Sequence, residues 1–290
     1  MATKSHLQGT TVKLSPEVLR IDALQTDGNI TSFVRHYVTE VGASGIVLGI
    51  SGGIDSATGA AICAKAIGGA RVLGLNMPEA ETRNDEDIRD AELVAKKFGI
   101  DLETVDISQM VKAVFDGVPS FDLSDRLANG NAKARMRMIV LYYYANRTGR
   151  LVVGSSDKSE VMLGYFTKWG DYGGDIFPLA DLYKTQVRQL AVHLGLPARL
   201  AEKPSTPNLW PGQTAKDELG LDYDQLDLAL YGLEHFMTVE EIARELGLST
   251  QAVKRIEARW LGSEHKRRPP LCVKLGYRSV GHDFRLPYNI

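Results

Sequence analysis

Cysteine is nearly missing: Cys63 and Cys272 are all that 290 residues contain. So few thiols, so far apart, form neither a disulfide framework nor a CxxC metal site, and both are expected as small buried hydrophobes in a reducing compartment. Long apolar runs are missing too. Nothing approaches the roughly 18 residues of a membrane span, and residues 1–8 lack the apolar stretch of a signal peptide, so the expectation is a cytoplasmic protein with no membrane partner. Neither sign of charge is in excess, with 34 Lys and Arg against 36 Asp and Glu for a formal net charge of -2. That balance supplies no global basic field for nucleic acid and no acidic surplus that would keep the chain disordered. An anion site must therefore be local. With 44% hydrophobic and 24% charged residues, the chain can bury a sizeable core.

Residues 45–50 read as a buried strand, followed after a Ser-Gly-Gly turn by an Ala-rich helix from about 55 to 67. A second strand is expected over 71–77. Behind Asn84 and three acidic residues, Ile88, Ala91, Ala95 and Phe98 make the apolar stripe of a helix, and 101–107 is a third strand. A loop rich in Asp, Gly and Pro over 116–130 leads into a helix over 131–147 with the stripe Met136, Ile139, Val140 and Tyr143, and a fourth strand runs over 150–154. This alternation predicts an α/β fold: a doubly wound, mostly parallel sheet with helices on both faces, binding ligands at the carboxyl ends of its strands. The remainder is helical over 181–194, 223–235, 238–246 and 249–262, with a Pro-rich loop over 203–214. No repeat or linker interrupts the chain, so one domain is expected over 1–290, with 1–40 a helical extension and 215–290 a helical C-terminal region.

The chemistry concentrates where the first strand meets its helix, at Gly49-Ile50-Ser51-Gly52-Gly53-Ile54-Asp55-Ser56. Two glycines let the backbone turn tightly with its amides inward, and the helix N-terminus adds partial positive charge, which together cradle a phosphate or pyrophosphate. Asp55 in the first turn suits a magnesium ion held against those phosphates. No Walker lysine is present. Read blandly, Gly-Gly is a tight turn with Asp55 and Ser56 as caps. The same letters fit the G-x-S-x-G elbow of α/β-hydrolases, but only some 45 residues precede the serine and no HGGG-type segment does. Farther on, residues 241–256 have the form of a helix-turn-helix, with Gly247 at the turn and Lys254, Arg255 and Arg259 behind it. A recognition helix needs polar side chains for base edges and a dimer or extra arm, and the chain as a whole is acidic, so the pair is expected to serve packing rather than a nucleic-acid partner.

SGGxDS resembles the pyrophosphate loop of the N-type ATP pyrophosphatases, whose sheet is of the adenine nucleotide alpha hydrolase-like kind; the loop alone does not choose among NAD synthetase, GMP synthetase, asparagine synthetase and the tRNA-thiolating enzymes. Other segments do. Residues 151–160 (Leu-Val-Val-Gly-Ser-Ser-Asp-Lys-Ser-Glu), 164–175 (Gly-Tyr-Phe-Thr-Lys-Trp-Gly-Asp-Tyr-Gly-Gly-Asp), 178–188, 203–214 and 264–270 (Glu-His-Lys-Arg-Arg-Pro-Pro) follow in order. Over about residues 20–270 the chain resembles the ammonia-dependent NAD synthetases. The resemblance implies ATP-dependent amidation of deamido-NAD by ammonia, through an acyl-adenylate, with AMP and pyrophosphate released. It places the loop from Gly49 to Ser56, Ser155, Lys184 and Thr206 at ATP, and Asp55 and Glu160 at Mg²⁺. Arg135, Lys168, Asp175, His265 and Lys266 fall at deamido-NAD. A homodimer is implied as well. The pattern departs at Ser155-Ser156-Asp157, where the family more often has Thr-Gly-Asn or Thr-Asp-His, and at the variable position Ile54. Taken singly, Glu160, Asp175 and Arg135 are ordinary surface charges and Lys184 belongs on the exposed side of an amphipathic helix.

Overall fold

The computed structural model describes residues 13–284, so the first twelve residues of the expected extension and the last six of the C-terminal region lie outside the described residues. Among the described residues, four parallel strands make the frame: β1 (Ile46–Gly49), β2 (Val72–Asn76), β3 (Asp101–Thr104) and β4 (Leu151–Val153), ordered β3-β2-β1-β4. Ile46 lies opposite both Val72 and Leu151, and Leu73 opposite Asp101.

β1, β2 and β4 alternate between two apolar layers, as the period of a strand requires, while the edge strand β3 adds only Leu102 to one of them. Ile46, Leu48 and Val72 face the layer of α1 (Ala23–Glu40), α2 (Ile54–Ile67), α3 (Asp85–Phe98) and α7 (Lys184–His193). Val47, Leu73 and Leu75 face α4 (Ser108–Gly117) and α5 (Arg126–Thr148). A further core joins α6 (Lys158–Leu163), α10 (Tyr223–Glu234), α11 (Val239–Leu246) and α12 (Thr250–Gly262). Short helices α8 (Ala198–Glu202), α9 (Ala215–Leu219) and α13 (Glu264–Arg267) lie along the connections. The doubly wound arrangement expected from the strand–helix alternation is the one observed.

Three local expectations are corrected. α5 begins at Arg126 rather than 131, because the Asp125 carboxylate accepts from the Ala128 amide at 2.9 Å and caps it, while α4 fills part of the expected loop. Of the expected stripe, Val140 is buried with Met138, Leu141 and Ala145 and Met136 packs against them, whereas Ile139 and Tyr143 are 62% and 59% exposed. Residues 138–145 are apolar or aromatic throughout, so hydrophobicity alone does not select the buried face. Cys63 is fully buried but Cys272 is exposed, since the chain beyond Pro269-Pro270 leaves the packed body.

The helix-turn-helix pair is α11 and α12. It buries Val239, Ile242, Ala243, Val253 and Ile256, and Arg259 turns inward over the Tyr165 ring. Among the described residues no helix is long and apolar enough to cross a membrane.

Candidate active site

At the carboxyl end of β1 the chain reverses through Ser51, Gly52 and Gly53 into α2. Gly52 has φ +85°, and a Cβ there would lie 2.3 Å from the Asp87 carbonyl oxygen, so both backbone shape and the approach of α3 require glycine. Ser56 fastens the turn from inside. Its hydroxyl donates to the Gly53 carbonyl at 3.0 Å and accepts from the Ser51 amide at 3.1 Å. The first amides of α2, having no intrahelical acceptor, open toward the cleft as an anion cradle.

That cleft has a volume of about 520 Å³ and runs between the strand ends, α5 and the 203–214 loop. Gly49, Ile50, Ser51, Gly53, Ile54, Asp55, Ser56, Ser155, Glu160, Thr206 and Lys266 line it, eleven of the residues expected at the site. The Thr206 hydroxyl donates to the Gln213 carbonyl at 2.6 Å and accepts from the Asn208 amide at 3.0 Å, so it holds its own loop closed. Lys203, at the start of that loop, pairs with Asp87 and with Asp90 at 2.9 Å, and reaches the Gly52 carbonyl at 3.4 Å.

Lys184 does not lie on an exposed helix face. At the first residue of α7 it is fully buried, its ammonium nitrogen 2.6 Å from Asp55, 2.8 Å from Asp157 and 3.0 Å from Glu160. Burial works against that charge, but Asp157, Asp55 and Glu160 outweigh it and hold the amine well above the usual lysine range. Burial pushes the Asp157 carboxyl up against the pull of Lys184, and Glu160 further up for the same reason. One ligand oxygen from each of the three carboxylates lies within 4.8 Å of the others. Three carboxyl groups meet a single ammonium, a surplus of acid over base, and Asp55 Oδ1 is buried without a hydrogen-bond partner. An oxygen-only donor set with that surplus fits a hard divalent cation.

Four expected substrate contacts lie apart from the cleft lining. Arg135 Nε donates to the Lys168 carbonyl at 3.2 Å and Lys168 Nζ to the His265 carbonyl at 2.8 Å, so these three form a connected group. Asp175 accepts from the Tyr142 hydroxyl and the Val152 amide, both at 2.8 Å, and so completes the edge of β4. Lys266 does reach the cleft, with its ammonium on the Gly164 and Phe166 carbonyls and 4.6 Å from the Phe166 ring.

Several cleft or cluster residues escape a sequence reading. Arg137, two positions from Arg135, lines the cleft and donates to the Met77 carbonyl at 3.1 Å. Asn76 lines it too, donating to the Ile50 carbonyl at 2.8 Å, with its own oxygen unpartnered. Tyr223 presents a buried, unpartnered hydroxyl beside Lys184. Asp157 stands in a quoted motif, and its position at the start of α6, just past a strand, was the one available signal.

Comparison with known proteins agrees with this geometry. The family model described as NAD synthase matches residues 28–270. An NH(3)-dependent NAD(+) synthetase of Hyperthermus butylicus is 44% identical over 255 residues, 88% of this chain and 92% of that protein. One of Thermococcus kodakarensis is 47% identical over 243 residues, 83% and 94% of the two chains. Among solved structures, an NMN synthetase from Francisella tularensis superposes with a TM-score of 0.77 at 30% identity, covering 88% of this chain and all of that one. The NH3-dependent NAD synthetase of Campylobacter jejuni, solved with a nitrate ion, gives 0.73 at 27% identity with the same coverage.

Proposed function

The chain belongs to the NAD synthase family, and from that premise we propose that it joins ammonia to deamido-NAD, using ATP, in two steps on one site. In the first, an oxygen of the nicotinate carboxylate attacks the α-phosphorus of ATP. The bond from that phosphorus to the bridging oxygen breaks, and pyrophosphate leaves. In the second, the ammonia lone pair attacks the acyl carbon, the bond to AMP breaks, and loss of a proton leaves the amide of NAD.

The observation that carries this reading is the pairing of a glycine-shaped anion cradle with an acidic cluster a few ångströms away. The loop amides would grip the β- and γ-phosphates. Asp55 and Glu160 would hold Mg²⁺, which supplies positive charge to the departing pyrophosphate. Lys184, kept protonated by its carboxylates, would add a fixed positive charge from beneath the same group, and Ser155 and Thr206 would frame the nucleotide. Lys266 would meet deamido-NAD from the far wall, with Arg135, Lys168, Asp175 and His265 receiving the part of the dinucleotide that reaches past the cleft. On this reading the chain is one synthetase domain acting in the cytoplasm on ammonia, free or delivered. A homodimer fits the exposed apolar face of α5, where Ile139 and Tyr143 are uncovered.

The test is a reaction of ATP, deamido-NAD and ammonium chloride followed for NAD, AMP and pyrophosphate. Nicotinate mononucleotide runs in parallel, because one solved neighbour is an NMN synthetase. Equal amounts of NAD, AMP and pyrophosphate are expected. ADP and phosphate would overturn the loop assignment, and faster amidation of the mononucleotide would overturn the substrate.

A further inference from the structure

α7 is capped locally only in part: the amide of its N-cap Tyr183 donates to Gln186 Oε1 at 2.9 Å, but the Tyr183 hydroxyl is turned away to Glu234 at 2.5 Å, so the amides of Lys184 and Thr185 must find acceptors elsewhere. They find them on two other helices. The Lys184 amide donates to the Ser159 hydroxyl oxygen of α6 at 3.0 Å, and the Thr185 amide donates to Asp227 Oδ2 of α10 at 2.8 Å. Ser159 then donates its own proton to Asp227 Oδ1 at 2.6 Å. One carboxylate thereby ties the residue beside Glu160 to the residue beside Lys184.

Asp227 stands in the run Leu226-Asp227-Leu228-Ala229-Leu230, buried throughout, and is itself fully withdrawn from solvent. An apolar residue there would pack α10 without the cost of burying a carboxylate. The two groups it does hold sit on α6 and α7, which carry Glu160 and Lys184, while Asp55 of the same cluster comes from α2. We propose that Asp227 is a positioning residue for the cation site: through Ser159 and the α7 amides it sets the distance between Glu160 and Lys184, and with it how well Asp55 and Glu160 can receive a divalent cation. The proposal rests on the metal-site reading given above. Once ionised, Asp227 also places negative charge at the start of α7, which favours that helix end electrostatically and holds Lys184 where the three carboxylates can share it. Partners that orient metal ligands from behind typically matter about 10- to 100-fold in affinity.

The experiment measures Mn²⁺ binding to the full chain by electron paramagnetic resonance without nucleotide, together with kcat and KM for ATP. The variants are Asp227→Asn, Ser159→Ala and their double, with Asp55→Asn and Glu160→Gln as controls. Circular dichroism establishes that each is folded; Ser159→Ala, which removes one oxygen, keeps the test usable should Asp227→Asn unfold. We expect each single variant to weaken Mn²⁺ binding about tenfold, and the double to be no worse than the worse single, because both act through one relay. Folded variants that bind Mn²⁺ within twofold of the parent would overturn the positioning role while the controls lose binding. Additive losses would overturn the shared relay. Controls that bind normally would instead reject the metal site itself.

Discussion

Lys184 and Asp157 form an ion pair, 2.8 Å between nitrogen and oxygen, in which neither side chain touches solvent. Asp157 Oδ1 is already engaged by the Glu160 amide at 2.8 Å, so the pair also fixes the start of α6. Buried pairs of this kind gain little over an apolar alternative, but breaking one strands the partner in a medium that cannot solvate it.

Replacing Lys184 with Met should therefore leave three carboxylates unbalanced. Chemical denaturation is expected to show a loss of about 3–5 kcal/mol, partly recovered by millimolar Mg²⁺. Unchanged stability in the absence of the ion would contradict the pairing.

On the proposed reading, Asp55→Asn and Glu160→Gln each remove a carboxylate that would hold the cation neutralising the departing pyrophosphate. Turnover should fall by about 10² or more in both, with folding retained. Near-normal kcat at saturating Mg²⁺ would dismiss the residue concerned as a ligand.

Gly52→Ala tests the turn. Its φ of +85° disfavours any side chain, and the Asp87 backbone at 2.3 Å has no way to yield without moving α3. The variant should lose ATP binding by isothermal calorimetry and at least about 1 kcal/mol of stability.

Asp227 carries a pH signature of its own. Burial pushes its carboxyl up to about 7 from an ordinary 3.8, with the nearby Asp157 charge adding to the rise and the Ser159 and Thr185 hydrogen bonds opposing it. Between those values the folded chain keeps a proton that the unfolded chain has released. Its contribution is full below pH 4 and is lost as pH rises through 7, at up to about 1.4 kcal/mol per pH unit. Urea melts from pH 5 to 8 should show this slope in the parent and its disappearance in Asp227→Asn.

The C-terminal basic segment divides into unequal members. Lys266 lines the cleft while His265 is exposed, Arg267 donates to the Val161 and Met162 carbonyls at 3.0 and 2.8 Å, and Arg268 pairs with Glu264. Lys266→Ala is expected to raise KM for deamido-NAD more than His265→Ala does, with KM for ATP little changed in either. Equal KM values for parent and Lys266→Ala would place that lysine outside the substrate site.

Residues that had to occupy one backbone shape were legible in the sequence. The Ser-Gly-Gly turn could be placed because a buried strand and a helix leave it one position, and the alternation of strands and helices fixed the winding of the sheet. Side-chain direction was harder to read. Arg135 and Arg137 lie two apart on α5 and point differently, which only the seating of the helix on the sheet decides. Asp227 looked like any acid on an amphipathic helix, since nothing near it in sequence reveals that Ser159 and Thr185, 68 and 42 positions away, converge on it. Asp157 was hidden in the same way, its partner Lys184 lying on the following helix.

The edge strand β3 bears on assembly. It is the outermost strand on its side, and Asp101 and Glu103 stand exposed along it, with Glu103 further held by the Tyr144 hydroxyl at 2.7 Å. Two like charges on four residues repel the same strand of a second copy. At the opposite edge, Ile176 and Asp175 already occupy backbone groups of Val152 and Gly154. Charged side chains along one edge and occupied backbone groups along the other both disfavour the edge-to-edge strand pairing that starts aggregation.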